Sequence, residues 1–408
     1  MKKNIRFQFQ KKGQVSSISQ IHPVIIGRLG PPILACIRSW GRQGYPVGFI
    51  CVVSGNSGKP VSKYLTDSIF LEQQNLFTNK GTQTIVSFLK KNQATDIIAI
   101  DERISIWLND IAGELPDNVR VCSSSNETMK NVLSKQKQIE IAKKAGFQIL
   151  PTYFIDKDFK DGKEFQSIEF PLCLRPSRPG SIYPPFKVKI AESPKQLRKI
   201  LNTLETINEP IICQPFKNFP NLVIHGVRTL EGKTERVEAF IVERKFEGVT
   251  LILKPITIDS KLFKKCQLFT EIFKIIGNYH FEFLYEPKTK QAFFLEMNLR
   301  LGGTTAKVFS CGYDEPMLAL TAFNHLIPIN KYTIQNCEVS SRQALLKYLF
   351  YSFSGKLTSL DYPSNEPQYL RMKKIFQTLF FCKDEVLNFD DIKGSLSLYF
   401  QNLRTAIL

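Results

Sequence analysis

Phe294-Leu295-Glu296-Met297-Asn298-Leu299-Arg300 (FLEMNLR) follows, after a short polar interval, the run Tyr279 to Tyr285 (YHFEFLY), which carries Glu282. Side chains alternate between the faces of a strand, so Glu296, Asn298 and Arg300 are predicted to share one face while Leu295, Met297 and Leu299 pack behind. The interval Glu286 to Gln291 (EPKTKQ) is rich in turn formers, which predicts a β-hairpin with Glu282 and Glu296 meeting across it. Two carboxylates and an amide offer hard oxygen donors of the kind that suit Mg²⁺ bridging phosphates, with a guanidinium beside them. The alternative is a solvated strand face carrying ordinary charges. Phe281, Phe283, Phe293 and Phe294 flank the acids, which predicts a partly buried site where unpaired carboxylates are costly and call for a cation.

The chain has 408 residues, 43% of them hydrophobic and 23% charged, as expected of a globular protein with two or three domains. No apolar run approaches the roughly 18 to 20 residues that span a bilayer, so no transmembrane segment is expected. The opening MKKNIRFQFQKKG lacks an apolar stretch behind its basic residues, and a cytoplasmic location is the expectation. Nine cysteines are scattered without a CxxC pair, which predicts reduced, mostly buried thiols rather than a disulfide framework. The four histidines (22, 225, 280 and 325) show no HxxxH spacing, so neither a zinc site nor a catalytic triad is indicated.

The net charge of +18 raises nucleic acid or an anionic surface as partner. The excess is diffuse: from Lys331 onward the chain holds ten basic and seven acidic residues. Clusters such as Lys143-Lys144, Lys264-Lys265 and Arg371-Met372-Lys373-Lys374 read as solvated helix faces. No specific nucleic-acid partner is expected, for basic and aromatic residues form no recognition motif.

Outward from the hairpin, Pro23 to Gly27 reads as a strand, Ile33 to Arg42 as a helix and Val47 to Val53 as a second strand. Asp96 to Asp101, Glu102 to Ile111 and Asn118 to Cys122 then continue as strand, helix and strand. Such alternation implies a βαβ layer with a parallel sheet. Gly27-Arg28-Leu29-Gly30 lacks GxGxxG spacing, which disfavours a dinucleotide-binding dehydrogenase. Glu127 to Gly146 has one helical periodicity and contains Lys135. Phe170 to Pro176 is a buried strand delivering Arg175 to the small-residue loop 177–181, whose backbone N–H groups suit phosphate. Glu192 to Leu204 and Lys261 to Ile276 read as helices, Pro210 to Phe216 as a strand, and Leu222 to Leu253 as a meander with Arg228, Glu238, Arg244 and Lys245 as inward charges. Linkers are expected at 156–166 and 361–368.

Taken in order, these elements resemble the ATP-grasp superfamily, and within it the D-aspartate-ligase-like carboxylate-amine ligases. The resemblance rests on PVIIGRLGPPILACIRSWGRQGYPV, Ser62-Lys63-Tyr64, SKQKQIEIAKKAGFQILPTY, FPLCLRP, IICQPF, VERK at 242–245 and, most specifically, FEFLYEPKTKQAFFLEMNLRLGG. It implies a Rossmann-like βαβ domain over 1–125, an ATP-grasp domain of two α+β subdomains over 126–330 with a hinge near 213–216, and a mixed helical C-terminal appendage over 331–408. It further implies Glu282, Glu296 and Asn298 as Mg²⁺ ligands (Mn²⁺ being the substitute ion) and Arg300 as the catalytic arginine facing the transferred phosphoryl group. Lys135, Arg175, Ser181, Gln214, Phe216 and Lys245 would bind ATP. Arg175 stands in place of a lysine, Pro215 in place of an acid at the hinge, and the 177–181 lid is poor in glycine. The implied activity is amide formation between a small-molecule carboxylate and an amine, an amino acid being one candidate, through an acylphosphate. The alternative is a nucleotide-binding protein without ligase turnover. Neither the substrates nor the oligomeric state follows from the sequence.

Overall fold

The computed structural model describes residues 21–55, 59–156, 168–323 and 333–407, with side chains to residue 401. The N-terminal MKKNIRFQFQKKG, nearly all of the expected 156–166 linker and the expected 330/331 boundary lie outside the described residues.

Strands β1 (Pro23–Gly27), β2 (Val47–Val53), β3 (Leu65–Glu72), β4 (Asp96–Ala99) and β5 (Arg120–Val121) form a parallel sheet in the order β3-β2-β1-β4-β5. Helix α1 (Pro31–Arg42) starts on two prolines that need no N–H donor there. α2 (Asn79–Lys91) is capped by Thr78 and α3 (Glu102–Asp110) by Asp101. Gly27 is required by packing rather than by a phosphate turn, since a Cβ there would stand 2.4 Å from the Ile100 side chain.

The expected single helix over 127–146 is two helices, α4 (Asn126–Val132) and α5 (Lys135–Lys144). Ser134 breaks it by turning its hydroxyl to the Lys137 N–H as a new N-cap. A small lobe follows, with β6 (Tyr153–Ile155), β7 (Leu172–Pro176), β8 (Ile182–Tyr183), β9 (Lys189–Ala191), α6 (Pro194–Leu201), β10 (Thr206–Ile207) and β11 (Ile211–Pro215). Four of these strands pair antiparallel in the order β6-β11-β7-β9, and β8 pairs with β10.

The large sheet contains β12 (Asn221–Arg228), β13 (Thr234–Phe246), β14 (Val249–Pro255), β15 (Gly277–Glu286) and β16 (Gln291–Asn298), with α7 (Ser260–Ile272) between β14 and β15. After α8 (Thr305–Ser310) and α9 (Glu315–Thr321), the C-terminal segment adds β17 (Val339–Ser340), α10 (Arg342–Phe353), α11 (Gln368–Phe381), β18 (Lys383–Asp384) and α12 (Ile392–Ile407). Its two short strands complete the order β16-β15-β12-β13-β14-β17-β18. The C-terminal segment therefore shares a sheet with the preceding residues. The stretch 361–368 is not a loose linker: Tyr362 exchanges two backbone hydrogen bonds with Lys245, and the buried Asp361 accepts from the backbone of Glu247 and Thr358.

One face of the large sheet packs on the parallel sheet through α1, α8 and α9, joining Trp40 and Phe49 to Phe240, Tyr313 and Leu318. The other face meets α5 and α7 in an aromatic cluster of Phe147, Phe269, Phe281, Phe283 and Phe294. The nine cysteines are all free, as their scatter predicts. Among the described residues no helix is long and apolar enough to cross a membrane.

Candidate functional site: a carboxylate pair between two lobes

Strands β15 and β16 form the expected hairpin, and Glu282 and Glu296 are register partners across it. His280 pairs with Asn298 two residues further along. Between Glu282–Glu296 and Phe283–Phe294 the register slips, leaving Leu295 without a partner. This bulge changes which residues lie behind the acids, because an extra residue reverses the alternation beyond it. Phe294, Met297 and Leu299 enter the aromatic core, whereas Leu295 does not. The phenylalanines also do not surround the acids: Phe281, Phe283 and Phe294 back the opposite face of the sheet. The carboxylates themselves are partly open, with side-chain exposures of 30% for Glu282 and 24% for Glu296.

Local contacts carry Lys135 to this pair. Gln138 exchanges two hydrogen bonds with the Met297 backbone (2.7 and 2.9 Å), clamping α5 to the edge strand β16. Lys135, one turn earlier at the start of α5, places its Nζ 3.2 Å from Glu296 Oε2. Its backbone N–H donates to Ser177 O at 2.9 Å, tying the same helix start to the loop after β7. Arg175, at the end of β7, points one nitrogen at Glu296 Oε2 (3.9 Å) and donates another to Gln214 Oε1 (2.8 Å). Gln214 in turn donates to Thr152 Oγ1 at 2.9 Å. Phe216 follows at the strand end, with its N–H bonded to Pro171 O at 2.7 Å.

On the opposite side, Lys245 Nζ donates to Asn221 Oδ1 at 2.9 Å, and Asn221 Nδ2 reaches Glu282 Oε2 at 3.3 Å. Asn298 Nδ2 lies 3.5 Å from Glu296 Oε1. Lys135, Arg175, Gln214 and Asn298 thus group around Glu296, and Lys245 and Asn221 at Glu282, the two groups meeting where the acids pair across the hairpin. Ser181 is in neither group: its hydroxyl donates to Arg178 O at 2.8 Å and closes a turn around Gly180, whose φ is +81°. Arg300 follows β16 but is held by Glu102 of α3 (2.7 Å). Of the expected inward charges, Arg244 is buried against Tyr348 and Glu366 and has a structural role, as has Arg228 on Ile275 O.

The two carboxylates sit in opposed electrostatic settings. Burial raises Glu296, but Lys135 and Arg175 outweigh it and bring the carboxyl to about 2. Burial and then the charge of Glu296 push Glu282 upward, against Asn221, Arg300 and Lys245. Like charges placed opposite one another repel, and a divalent cation between them relieves both. The donors are carboxylate and amide oxygens, a set that fits Mg²⁺ and does not fit a soft metal.

Asn221, Thr152, Glu102 and His280 join the site without a spacing signal in the sequence. His280 stacks on His225 (centroids 5.3 Å apart, 20° between planes), its partner across β12 and β15. His225 is bonded on both nitrogens, to Glu315 (2.8 Å) and Thr304 (3.0 Å). Ligand atoms of His225, His280 and Glu315 lie within 4.8 Å of one another. Because His225 is already satisfied, the trio reads as a buried support under the loop after Arg300. Burial, then His225, pushes His280 well below the ordinary histidine value.

A cavity of about 550 Å³ opens elsewhere, between α1 and the C-terminal segment, lined by Arg38, Arg42, Phe309, Glu385 and Asp390. Its charged side chains have partners within the chain: Arg38 with Asp391, Arg42 with Asp390, Glu385 with Lys307, Arg342 on Cys382 O and Lys383 on Gln335. The unmatched donor set lies at the hairpin, and that is the candidate site.

No protein-family model matches the chain, and no curated protein matches it. Solved structures do. The chain is similar to biotin carboxylase from Campylobacter jejuni, in a beta-gamma-ATP complex (17% identity, TM-score 0.60, covering 78% of this chain and 74% of that one). It is similar to N5-carboxyaminoimidazole synthetase from Staphylococcus aureus, complexed with ADP (14% identity, TM-score 0.60, 82% and 87% covered). It is also similar to L-amino acid ligase from Bacillus licheniformis (14% identity, TM-score 0.57, 77% and 76% covered). At these identities the likeness is one of fold.

Proposed function

We propose that this chain, which has the ATP-grasp fold, is an ATP-dependent ligase that joins a small-molecule carboxylate to an amine through an acylphosphate. The observation that carries the proposal is the Glu282–Glu296 pair across the hairpin, with Arg175 converging on Glu296 from the small lobe and Lys135 from α5, which is clamped to β16. Two acids facing cations from both the large-sheet side and the small lobe make a cleft for a polyanion accompanied by a divalent metal. The named activities of the similar structures, a carboxylase, a synthetase and an amino acid ligase, support the same reading.

In this reading Glu282, Glu296 and Asn298 hold Mg²⁺, which when bound neutralises the nucleotide phosphates. Lys135 and Arg175 then exchange Glu296 for phosphate oxygens. Arg175 stays cationic and grips bidentately where a lysine would act as a point charge. Gln214 and Phe216, at the end of β11, flank the nucleotide base at the hinge. Lys245, held by Asn221 beside Glu282, meets a phosphate or a substrate carboxylate. Ser181 serves by shaping the lid turn.

Arg300 leaves Glu102 to face the γ-phosphoryl group. A substrate carboxylate oxygen attacks the γ-phosphorus, the bond to the β-phosphate oxygen breaks, and ADP departs. An amine nitrogen next attacks the acyl carbon, the carbon–oxygen bond to phosphate breaks with its electron pair, and the amine gives up a proton. Positioning and charge neutralisation do most of the catalysis in phosphoryl transfer, which suits a site whose chemistry is carried by fixed charges.

The Arg300–Glu102 pair favours one second reading, a nucleotide-binding protein without ligase turnover. Incubating the purified chain with Mg-ATP and pools of amino acids and other carboxylates separates the two. ADP and phosphate release that depends on both a carboxylate and an amine is expected. Nucleotide binding with no release from any pool would assign the second reading, and no nucleotide binding would discard both.

A further inference from the structure

We propose that the outer face of α10 and α11 is a self-association surface, on which a second copy of this chain docks to form a dimer. Each helix carries apolar residues on its outer side as well as on its buried side. α10 turns Leu345 and Tyr348 into the core against Phe246, Leu251 and Ile252, while Leu346, Phe350 and Phe353 recur at i, i+4 and i+7 on its exposed side. α11 buries Ile375 and Thr378 and exposes Tyr369, Phe376 and Phe380 at i, i+7 and i+11, with Phe381 beside them. The two helices pack on each other, so both stripes belong to one region of the surface.

The area is that of an interface. Phe350, Phe353, Tyr369, Phe380 and Phe381 are each between 63% and 85% exposed, which at about 200 Å² per aromatic side chain amounts to roughly 700 Å² from five rings alone. A monomer's largest apolar patch is commonly about 300 to 600 Å², and a standard interface takes about 800 Å² from each partner.

The charges around the face choose the occupant. Lys347 is paired with Glu247 at 2.6 Å, Lys374 with Glu338 at 2.8 Å, and Arg371 with Glu366 at 3.8 Å. Lys373 is the one cation within the α11 stripe that has no ion pair among the described residues. Despite the chain's net charge of +18, three of the five cations on these two helices are ion-paired in place. An anionic membrane or an acidic partner would be met by free cations, whereas a second copy needs an apolar centre and a border that does not repel itself.

The test is the mass of the full chain in solution, by sedimentation or light scattering at roughly 1 to 100 µM, within the affinity range that a standard-sized interface reaches. A species of two 46.7 kDa chains is expected. The double variant Phe350→Lys with Phe380→Lys should sediment as a single chain with the wild-type circular dichroism and melting temperature. Phe154→Lys, exposed elsewhere, should leave the dimer intact. A single-chain wild type across that range, or a double variant that remains dimeric, would overturn the proposal. So would a single-chain wild type that pellets with anionic phospholipid vesicles, which would assign the face to a membrane.

Discussion

Two ionic clusters in this molecule are built from the same residue types and do different things. At the junction of α1 with the C-terminal segment, Arg38 is buried with Asp391 at 2.9 Å and also donates to Val386 O, Asp391 O and Ser395. Asp391 accepts further bonds from Ser62 and the Lys63 backbone, and Asp390 from Lys63 and Tyr64. At the hairpin, by contrast, two carboxylates oppose each other, and their cations reach in from separate elements, Lys135 from α5 and Arg175 from the small lobe. A saturated cluster fixes one arrangement of the chain. An unbalanced one keeps interaction energy in reserve for a ligand, and stability is its cost. The Ser62-Lys63-Tyr64 motif therefore belongs to the first cluster and not to the site.

The comparison can be broken most directly at Glu296. Glu296→Ala should abolish phosphate release, a fall of at least ~10³-fold or about 4 kcal/mol in barrier, with the fold retained by circular dichroism. Normal turnover would remove the metal-site assignment. The next largest effect falls on the other cluster: Asp391→Ala strands a buried guanidinium and should cost about 3 to 5 kcal/mol in a denaturant titration. Activity per folded molecule should persist, and a stability loss below about 1 kcal/mol would show that the cluster is not what holds the segment in place.

Asp314 is a third case, a buried acid bonded to Ser39 and the Met317 N–H, and burial pushes it up to about 6. Its folded value lies above the value near 4 of an unfolded aspartate. The stability it contributes is thus fully present below about pH 4 and is lost as pH rises through about 6. Asp314→Asn keeps an N-cap and should be the more stable form by about 2 to 3 kcal/mol at pH 7, with the difference vanishing below pH 4. A difference that does not change with pH would refute the assignment. The smallest effect belongs to Glu282→Gln, which removes one side of the opposed pair. It should leave unfolding free energy unchanged or raised by about 1 kcal/mol, while losing the thermal protection that Mg-ATP gives the wild type. A clear stability loss would place Glu282 with the saturated cluster.

Much of this was legible along the chain, because some signals are local. Alternation and turn composition define the β15–β16 hairpin and the acid pair, and prolines with helical periodicity locate α1. β3 and α2 are less marked, since Leu65–Glu72 is an edge strand of mixed burial and Asn79–Lys91 is rich in polar residues. The bulge at Leu295 is a property of pairing between two strands, so counting within one strand misassigns what packs behind Glu296. Ser134 as a helix break competes with a periodicity that continues through it. Histidine spacing within the chain carried no sign that His225 and His280 meet across neighbouring strands, with Glu315 joining them from α9.

By itself the sequence determined the alternating βαβ layer, the hairpin and the chemical character of its donors, since each depends on short-range periodicity and on side-chain type. Tertiary structure alone decided which cations face which acids: Lys135 at Glu296, Arg300 at Glu102, and Ser62 to Tyr64 at Asp390 and Asp391. A charge's partner is set by distance and burial between segments that are remote along the chain, and no spacing within one segment encodes either quantity.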